Sequence, residues 1–311
     1  MGRRAANHQE GEIGGITYRI EGDGPPLILL PLFLAPSQWD PLLAILSQRF
    51  TTIVLGGAHL GAVDILESRG RARGYLRMMR TLIDDVGLQP GETVLEVGCG
   101  TGVLDRWLSR RTEGRNSITG LDINPYLLRE AAALLETDPD AQGVAFKEGS
   151  GEDIPFPVDS FDLTMSITVI EEVDADRMLS EMARVTRPGG RVAVIARAMD
   201  LPFLMHAPLG EELRAKAEAP GVIGSIAEAG CADASLYRRF RQLPLEDVRT
   251  YPQSPVFDMS EPSVVNFMQA GLLSKLTPDE GAEWQSARAA GESEGTFFMT
   301  WPHHCAVGTK T

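Results

Sequence analysis

Cysteine and cationic side chains are scarce in this 311-residue chain. It holds three cysteines, and 29 lysines and arginines against 43 aspartates and glutamates, which gives a formal net charge of −14. An odd number of distant cysteines argues against a disulfide framework and favours reduced thiols, as in a cytoplasmic protein. A net negative field of this size repels a polyanion, so we expect no nucleic-acid partner.

Long apolar runs are also missing. The longest apolar stretch, residues 25–36, is too short and too rich in proline to span a bilayer, and it begins too late for a signal peptide. The apolar fraction is nevertheless 43%, enough for a sizeable core. The chain also exceeds the ~250 residues at which a single core usually stops growing. We therefore expect no membrane span, and one core domain with additions or two domains.

The chain is organised around a short apolar strand that stops in three glycines. Residues 93–97 read TVLEV, apolar on both faces as in a parallel sheet covered by helices, and glycines follow at 98, 100 and 102. Glycine lets the backbone turn tightly and approach a ligand with no Cβ in the way. Residues 103–110 have helical composition, so the loop precedes a helix N-terminus, where free N–H groups gather. This arrangement is typical of a ligand-binding loop.

Two acidic residues accompany the loop. The spacing is G-x-G-x-G, unlike the G-x-G-x-x-G of dinucleotide-binding folds, and Glu96 precedes the first glycine by two residues. A second apolar strand, residues 117–122, ends in Asp122, and Pro125 then opens a helix. At the end of a neighbouring strand, a carboxylate can accept two hydrogen bonds from a ribose.

These motifs resemble the class I S-adenosylmethionine-dependent methyltransferases, in particular the small-molecule branch that includes quinone and natural-product methylating enzymes. The resemblance covers residues 65–200 well. Strands alternate with helices through this region, which predicts a doubly wound α/β sheet. The resemblance implies a Rossmann-like sheet of seven strands with the last antiparallel, S-adenosylmethionine as cofactor and a small-molecule acceptor.

The resemblance also implies where the cofactor binds. Glu96 would orient the loop and reach the amino-acid end, Asp122 would hold the ribose, and Ser166 would offer its carbonyl to the amino group. The adenine loop departs from the family pattern, which usually has Asp-Ala before an acid, so the adenine would contact Glu152, Asp153 or backbone carbonyls. The predicted cofactor-binding residues are Glu96, Gly98, Cys99, Gly100, Asp122, Ile123, Ser150, Gly151, Glu152 and Ser166.

An arginine-rich helical segment, residues 61–86, precedes the motif strand. One interpretation is a solvated basic face of a helix that packs on the sheet. The other, which the family suggests, is that Arg71, Arg73 or Tyr75 folds over the carboxylate of the cofactor's methionine.

Two side chains are candidate general bases. Residues 197–208 follow the fifth strand and carry Asp200, Phe203, Met205 and His206, which predicts an apolar wall with one group that titrates near neutral pH. His206 is the first candidate, and the alternative is a surface histidine on a lid. Glu172, the second, stands where the family often has histidine; it could equally be a solvent-facing acid. A hydroxyl acceptor would need a base, whereas an activated carbon would not.

The N-terminal 60 residues are predicted to be an appendage. Residues 1–14 are polar and predict a disordered arm, whereas residues 15–60 predict three strands and one helix that resemble the start of an α/β-hydrolase. The oxyanion-loop His-Gly is replaced there by Pro31-Leu32. A literal G-x-S-x-G around Ser293 follows a helical stretch instead of a strand, so it does not form a nucleophile elbow. We predict a structural or lid-forming segment without hydrolytic chemistry.

The remaining chain divides into a cofactor-binding core, residues 61–200, and an acceptor-binding region, residues 201–311. Strands at 296–301 and 305–308 would complete the sheet, and helices at 262–276 and 278–290 would cap the pocket. Adjacent residues in the run His-His-Cys at 303–305 point to opposite faces, so no metal is predicted. We predict a cytoplasmic small-molecule methyltransferase. The alternatives are a non-methylating or non-catalytic protein that binds the same cofactor and, less favoured, a hydrolase-derived protein.

Overall fold

The computed structural model describes residues 8–14, 16–31, 36–57, 62–224 and 226–311. The first seven residues of the predicted arm, and Leu32 of the predicted oxyanion-loop replacement, lie outside these ranges. The strands are β1 (His8–Ile13), β2 (Ile16–Glu21), β3 (Pro26–Leu29), β4 (Thr51–Gly57), β5 (Thr93–Val97), β6 (Ser117–Asp122), β7 (Val144–Glu148), β8 (Phe161–Ile167), β9 (Thr186–Arg197), β10 (Met205–His206), β11 (Leu245–Gln253), β12 (Val256–Asp258), β13 (Phe298–Thr300) and β14 (His303–Lys310).

Ten α-helices connect these strands within the described ranges, and none is long and apolar enough to cross a membrane. The helices are α1 (Asp40–Leu46), α2 (Ala62–Arg71), α3 (Arg73–Val86), α4 (Val103–Arg111), α5 (Pro125–Glu136), α6 (Ala175–Val185), α7 (Glu211–Ala217), α8 (Ser235–Arg241), α9 (Pro262–Leu273) and α10 (Pro278–Glu294). Short 3₁₀ helices occupy Pro36–Trp39 and Ile170–Glu172.

The central sheet confirms the predicted α/β fold. Its seven strands are ordered β11-β14-β9-β8-β5-β6-β7. The five strands from β5 to β9 run parallel, and β14 is antiparallel to both of its neighbours. Because the chain leaves β5 first towards β6 and later returns to β8 on the other side, the order reverses between β5 and β8. Ligands of open α/β sheets bind at the carboxyl ends of the strands beside such a switch point.

Helices cover the central sheet through apolar stripes. On α3 the buried residues are Tyr75, Met78, Met79, Leu82, Ile83 and Val86. They recur at steps of three and four, so one face of the helix packs on the sheet, and each fully buried side chain of this size contributes about 1.5–3 kcal/mol. Gly87 then ends the helix with φ of 61°, a left-handed conformation that favours glycine.

Three local predictions need correction. The helical segment 61–86 is two helices, because Ala72 adopts an extended ψ of 136° between α2 and α3. The predicted turn at 187–190 lies inside β9, where Gly189 has φ of 78° and the pairing with β8 shifts register. The predicted strand at 296–301 shortens to β13, which joins β10 and β12 in a separate three-stranded sheet. The strand beside β14 in the central sheet is instead β11.

The N-terminal region forms a sheet of its own, in the order β1-β2-β4-β3. The prediction for residues 15–60 is confirmed in element order, but the disordered arm is wrong for residues 8–13, which pair along their whole length with β2. Five of the six β1 residues are exposed, so no apolar alternation marked the strand. Leu29, Leu43 and Val54 form a small core. Asp40 contacts the central domain through Arg129, with Oδ2 at 3.9 Å from Nη2.

Candidate functional site

A cavity of about 410 Å³ lies at the carboxyl ends of β5, β6 and β8, beside the switch point. Its volume lies within the range of small-molecule sites, ~300–1,000 Å³. The lining residues are Leu66, Arg69, Val97, Gly98, Gly100, Asp122, Ile123, Asn124, Leu127, Gly149, Ser150, Gly151, Ile167, Thr168, Val169, Glu172 and Val173. All of these come from residues 66–173, so the predicted acceptor region 201–311 contributes none of this wall.

The glycine loop forms one side of the cavity because only glycine fits its path. Gly98 has φ of 80°, and a Cβ there would lie 2.3 Å from Cγ2 of Val169. The amides of Gly98 and Cys99 both donate to the carbonyl of Leu121, at 2.7 and 3.0 Å, and thereby join the loop to the end of β6. The loop is therefore held close to the cavity by backbone contacts that a side chain would disrupt.

Asp122 lies where the sequence predicted, at the end of β6 and in the cavity wall. Its Oδ2 accepts from the amide of Gly100 at 2.7 Å, and its Oδ1 accepts from the amide of Asn124 at 2.8 Å. Burial raises the pKa of this carboxyl, while the backbone amides oppose that shift. A carboxylate has about four acceptor positions, so about two stay available to a ligand.

Four buried polar atoms without hydrogen-bond partners converge at the inner end of the cavity. They are Nε of Arg69, the hydroxyl oxygen of Tyr75, Oε2 of Glu96 and Oγ1 of Thr168, and we call these four residues the inner cluster. Arg69, Tyr75 and Glu96 line a recess of about 40 Å³, and this recess shares Arg69 and the glycine loop with the cavity. Each buried polar atom left unpaired costs ~1–3 kcal/mol, so this arrangement favours a ligand or water that supplies partners.

The inner cluster contains one cationic and one acidic side chain. The guanidinium of Arg69 lies over the ring of Tyr75, with Cζ 5.2 Å from the ring centroid. Burial raises the pKa of Tyr75, and burial together with the carboxyl of Asp105 raises the pKa of Glu96 well above its usual range. One cation and one acid therefore face the same recess, which suits a ligand that carries both charges.

The other predicted cofactor residues divide between the cavity and its surroundings. Cys99 lines the recess, while Ile123, Ser150 and Gly151 line the main cavity. The carboxylate of Glu152 instead accepts from the amide of Asp174, at 2.9 Å. Ser166 is buried within β8, where its hydroxyl donates to the carbonyl of Val97 at 2.8 Å. Neither Glu152 nor Ser166 lines the cavity, and on β8 the wall begins at Ile167.

Arg69 is the residue that sequence reasoning missed. Of the three side chains proposed to cover the cofactor, Arg71 pairs with Glu67 at 2.7 Å and Arg73 contacts Ser260 at 2.8 Å, so only Tyr75 reaches the recess. Arg69 follows Leu66 by three residues on α2, and both line the cavity. That spacing was the one available signal, and it did not distinguish Arg69 from its neighbouring arginines.

The two candidate bases lie in different surroundings. Glu172 is in the cavity wall, its side chain is 68% exposed, and Arg197 donates to it at 3.1 Å. His206 is exposed on β10, where it pairs with Phe298 and stacks on that ring at 6.3 Å, and it is not among the lining residues. The predicted apolar wall is wrong, because Phe203 and Met205 are buried in the core.

The C-terminal histidines have separate partners. Nδ1 of His303 lies 2.7 Å from the carbonyl of Trp301, and burial lowers the pKa of this imidazole to about 3. Nε2 of His304 lies 2.7 Å from Oδ1 of Asp200. Over the ranges that the structure describes, no group of three or more His, Cys, Asp or Glu side chains is placed to hold a metal. Ser293 lies within α10, as expected for a residue outside a nucleophile elbow.

Comparison with known proteins agrees with this geometry. Residues 95–194 match the family model of the methyltransferase domain. The ubiquinone/menaquinone biosynthesis C-methyltransferase UbiE of Vibrio campbellii is 35% identical over 117 residues, 37% of this chain and 45% of that protein. Methyltransferase GfsG of Streptomyces halstedii is 34% identical over 119 residues, 38% of this chain and 42% of its own. The chain thus spans less than half the length of these curated relatives.

The fold also occurs among solved structures. The YcgJ protein of Bacillus subtilis superposes with a TM-score of 0.50 at 15% identity, over 76% of this chain and 98% of that one. At this identity the likeness concerns the fold alone. Residues 95–194, the region that matches the methyltransferase domain, contain the glycine loop, Asp122, Thr168 and Glu172, which line the cavity.

Proposed function

We propose that this protein transfers a methyl group from S-adenosylmethionine to a small-molecule acceptor. The observation that carries the proposal is the inner cluster, in which an acid and a cation with unpaired buried atoms adjoin a cavity bounded by the glycine loop and Asp122. S-adenosylmethionine has a complementary pattern, since it joins an ammonium and a carboxylate to a nucleoside. The match of residues 95–194 to the methyltransferase domain supports the same assignment.

The residues present fit this cofactor. Arg69 would hold its carboxylate, and Glu96 its ammonium, because these two unpaired groups have the opposite charges. Asp122 would accept from the ribose hydroxyls with the acceptor positions that the backbone amides leave open. Backbone at Gly98 and Gly100 would pack against the chain between the two ends, and Ile123, Ser150 and Gly151 would surround the adenine.

Methyl transfer depends on the alignment of the acceptor atom with the methyl group and the sulfur of the cofactor. When bound, the cofactor supplies a methyl group on a sulfonium, which an acceptor displaces in line. The protein's contribution is to hold the acceptor and the cofactor in a near-attack geometry, with reacting atoms ~3–3.5 Å apart, and to exclude water. Buried walls of β5 and β8 on one side of the cavity, and the exposed side chain of Glu172, favour entry of the acceptor beside Glu172.

For the acceptor we infer a quinone-like or secondary-metabolite molecule. The support is the name of the UbiE relatives, which refers to ubiquinone and menaquinone biosynthesis and which this chain matches over 37% of its length. If this acceptor reacts through a hydroxyl, Glu172 is the better placed base, because it lines the cavity and His206 does not. If it reacts through an activated carbon, positioning alone suffices.

Calorimetry with purified protein tests the proposal. S-adenosylmethionine and its demethylated product S-adenosylhomocysteine should both bind at micromolar strength. Absence of binding by either ligand at high protein concentration would overturn the proposal. Binding without turnover across quinones, phenols and other small acceptors would favour the alternative, a non-methylating or non-catalytic protein that binds the same cofactor.

Turnover of base variants tests the acceptor chemistry once a substrate is found. For a hydroxyl acceptor, Glu172→Gln should lower kcat by ~100-fold, the usual effect of removing a general base, while His206→Ala should retain near-wild-type kcat. A large loss in His206→Ala with none in Glu172→Gln would reverse the assignment. Near-wild-type turnover in both would show that neither acts as a base.

A further inference from the structure

A second buried carboxyl group lies against Glu96 beneath the glycine loop. Asp105, in the first turn of α4, is fully buried and lies within hydrogen-bonding reach of Glu96. The sheet leaves space for it: a Cβ on Gly120 of β6 would lie 2.6 Å from Oδ2 of Asp105. Glycine at this strand position therefore accommodates the carboxyl group in the sheet.

Among the residues that the structure describes, no donor reaches three of the four carboxyl oxygens of this pair. Oε2 of Glu96 and both carboxyl oxygens of Asp105 are buried and receive no hydrogen bond. The neighbouring guanidinium of Arg106 is engaged elsewhere, because it donates to Glu67 at 2.7 and 2.8 Å and to the carbonyl of Thr101 at 2.7 Å. Two carboxyl groups in contact can form a hydrogen bond only when one of them carries a proton.

The other titratable and charged groups around the pair also favour a protonated carboxyl. Asp122 is an acidic neighbour, whereas the thiol of Cys99 and the hydroxyl of Tyr75, on α3, bring no positive charge. The cations near the pair are Arg106, on the Asp105 side, and Arg69, on the Glu96 side. Burial raises the pKa of Asp105 to about 7 and that of Glu96 well above its usual range, as expected for two acids that share a proton.

We propose that Asp105 is a positioning residue that shares one proton with Glu96, and that an ammonium group binding at Glu96 releases this proton to solvent. The inference rests on the proposed function, since it assigns the ammonium to the amino-acid end of the cofactor. No covalent bond changes: the ligand keeps its own proton, the pair loses one to solvent, and the combined charge of the pair and the bound ammonium equals that of the free pair. Asp105 thus links cofactor affinity to pH without touching the cofactor.

Proton release is measured by titrating the protein with S-adenosylhomocysteine in two buffers of different ionisation enthalpy. The measurement belongs at or below about pH 7, where an α-amino group is still charged. We expect close to one proton released per ligand, and an affinity that rises up to about tenfold per pH unit until the free pair has lost its proton. The ligand 5′-methylthioadenosine, which lacks the amino-acid end, should bind without releasing a proton.

The variant Asp105→Asn separates positioning from simple packing. Its amide can still donate to Glu96 but has no acidic proton, so S-adenosylhomocysteine should bind with no proton release and with little dependence on pH. Asp85→Asn is the matched control, because Asp85 also has a buried unpaired oxygen but pairs with Arg249 on another part of the fold. This control should keep the wild-type proton count.

A third measurement does not depend on ligand binding or on the variant folding. A carboxyl-carbon NMR titration of the free wild-type protein should show one carboxyl of the pair still protonated near neutral pH. Two carboxyls that ionise at ordinary acidic pH, or wild-type binding with no proton release, would overturn the inference while leaving the proposed function intact. If neither ligand binds and the titration still shows a shared proton, the pair is real but the proposed function and its coupling both fail.

Discussion

The inner and outer ends of the cavity differ in how much of their polar surface already has a partner. At the inner end, the inner cluster holds four buried atoms with none. At the outer end, Glu172 is 68% exposed and accepts from Arg197. Unpaired buried atoms lower stability, whereas solvated side chains do not. The inner end is therefore built for one polar ligand, and the outer end leaves the acceptor much less constrained.

The largest expected effect comes from adding one methyl group between the two ends. Gly98→Ala should weaken binding of S-adenosylhomocysteine by about 3 kcal/mol, because the Cβ collides with Val169 and forces the loop from its bound path. The measurement is calorimetric affinity alongside the melting temperature. Gly91→Ala is the control: it has φ of 88°, but nothing lies within 4 Å of its Cβ. Equal affinity losses in the two variants would show that backbone strain, and not the contact with Val169, causes the loss of affinity.

Asp122 should matter next. Asp122→Ala should weaken S-adenosylhomocysteine and 5′-methylthioadenosine alike by ~2 kcal/mol, because both carry the ribose and a charge-assisted pair of hydrogen bonds is lost. Asp122→Asn retains one acceptor oxygen and should lose less. If Asp122→Ala weakens S-adenosylhomocysteine but not 5′-methylthioadenosine, Asp122 acts on the amino-acid end, and the proposed ribose contact is wrong.

Arg69 should have a smaller effect that is confined to the inner end. Arg69→Gln should weaken S-adenosylhomocysteine by about tenfold, ~1.4 kcal/mol, and leave 5′-methylthioadenosine unchanged. Arg71→Gln, two residues along the same helix, is the matched control, because Arg71 pairs with Glu67 and does not line the cavity. Equal losses for both ligands would mean that Arg69 supports the fold instead of the ligand carboxylate.

The smallest effect is expected at the outer end. Glu172→Gln should keep affinity for S-adenosylhomocysteine within about twofold, because an exposed and solvated pair contributes ~1 kcal/mol or less. Direct titration measures this independently of turnover. A tenfold loss would place Glu172 in the cofactor site and remove the distinction between the two ends.

Much of the core could be predicted from local sequence. Helix α5 begins at Pro125 as predicted, because Asn124 caps its N-terminus with a side-chain acceptor, and Asp174 caps the N-terminus of α6 in the same way. Helices separate β5 from β6, β6 from β7 and β8 from β9, and this alternation predicts their parallel order. The glycine loop and Asp122 lie at the cavity because strand ends in such a sheet share one edge.

Other features had no local signal. The polar, exposed strand β1 forms because β2 offers an unpaired edge, which its own residues do not encode. The short strand β13 is apolar as predicted, yet its partners are β10 and β12, because strand pairing is set by how distant segments meet. The orientation of α2 selects Arg69 from an arginine-rich segment, and helical spacing alone does not.

The sequence by itself determined the parallel core, the loop that only glycine allows, and the acid at the end of β6, since backbone conformation and apolar patterning are local properties. Tertiary structure alone decided that Glu96 and Asp105 share one buried site and that Arg69 faces Glu96. The burial of these two carboxyl groups, and their lack of hydrogen-bond donors, depend on all the elements that pack around them. The electrostatic character of the site therefore exists only once β5, β6, β8, α2 and α4 are packed together.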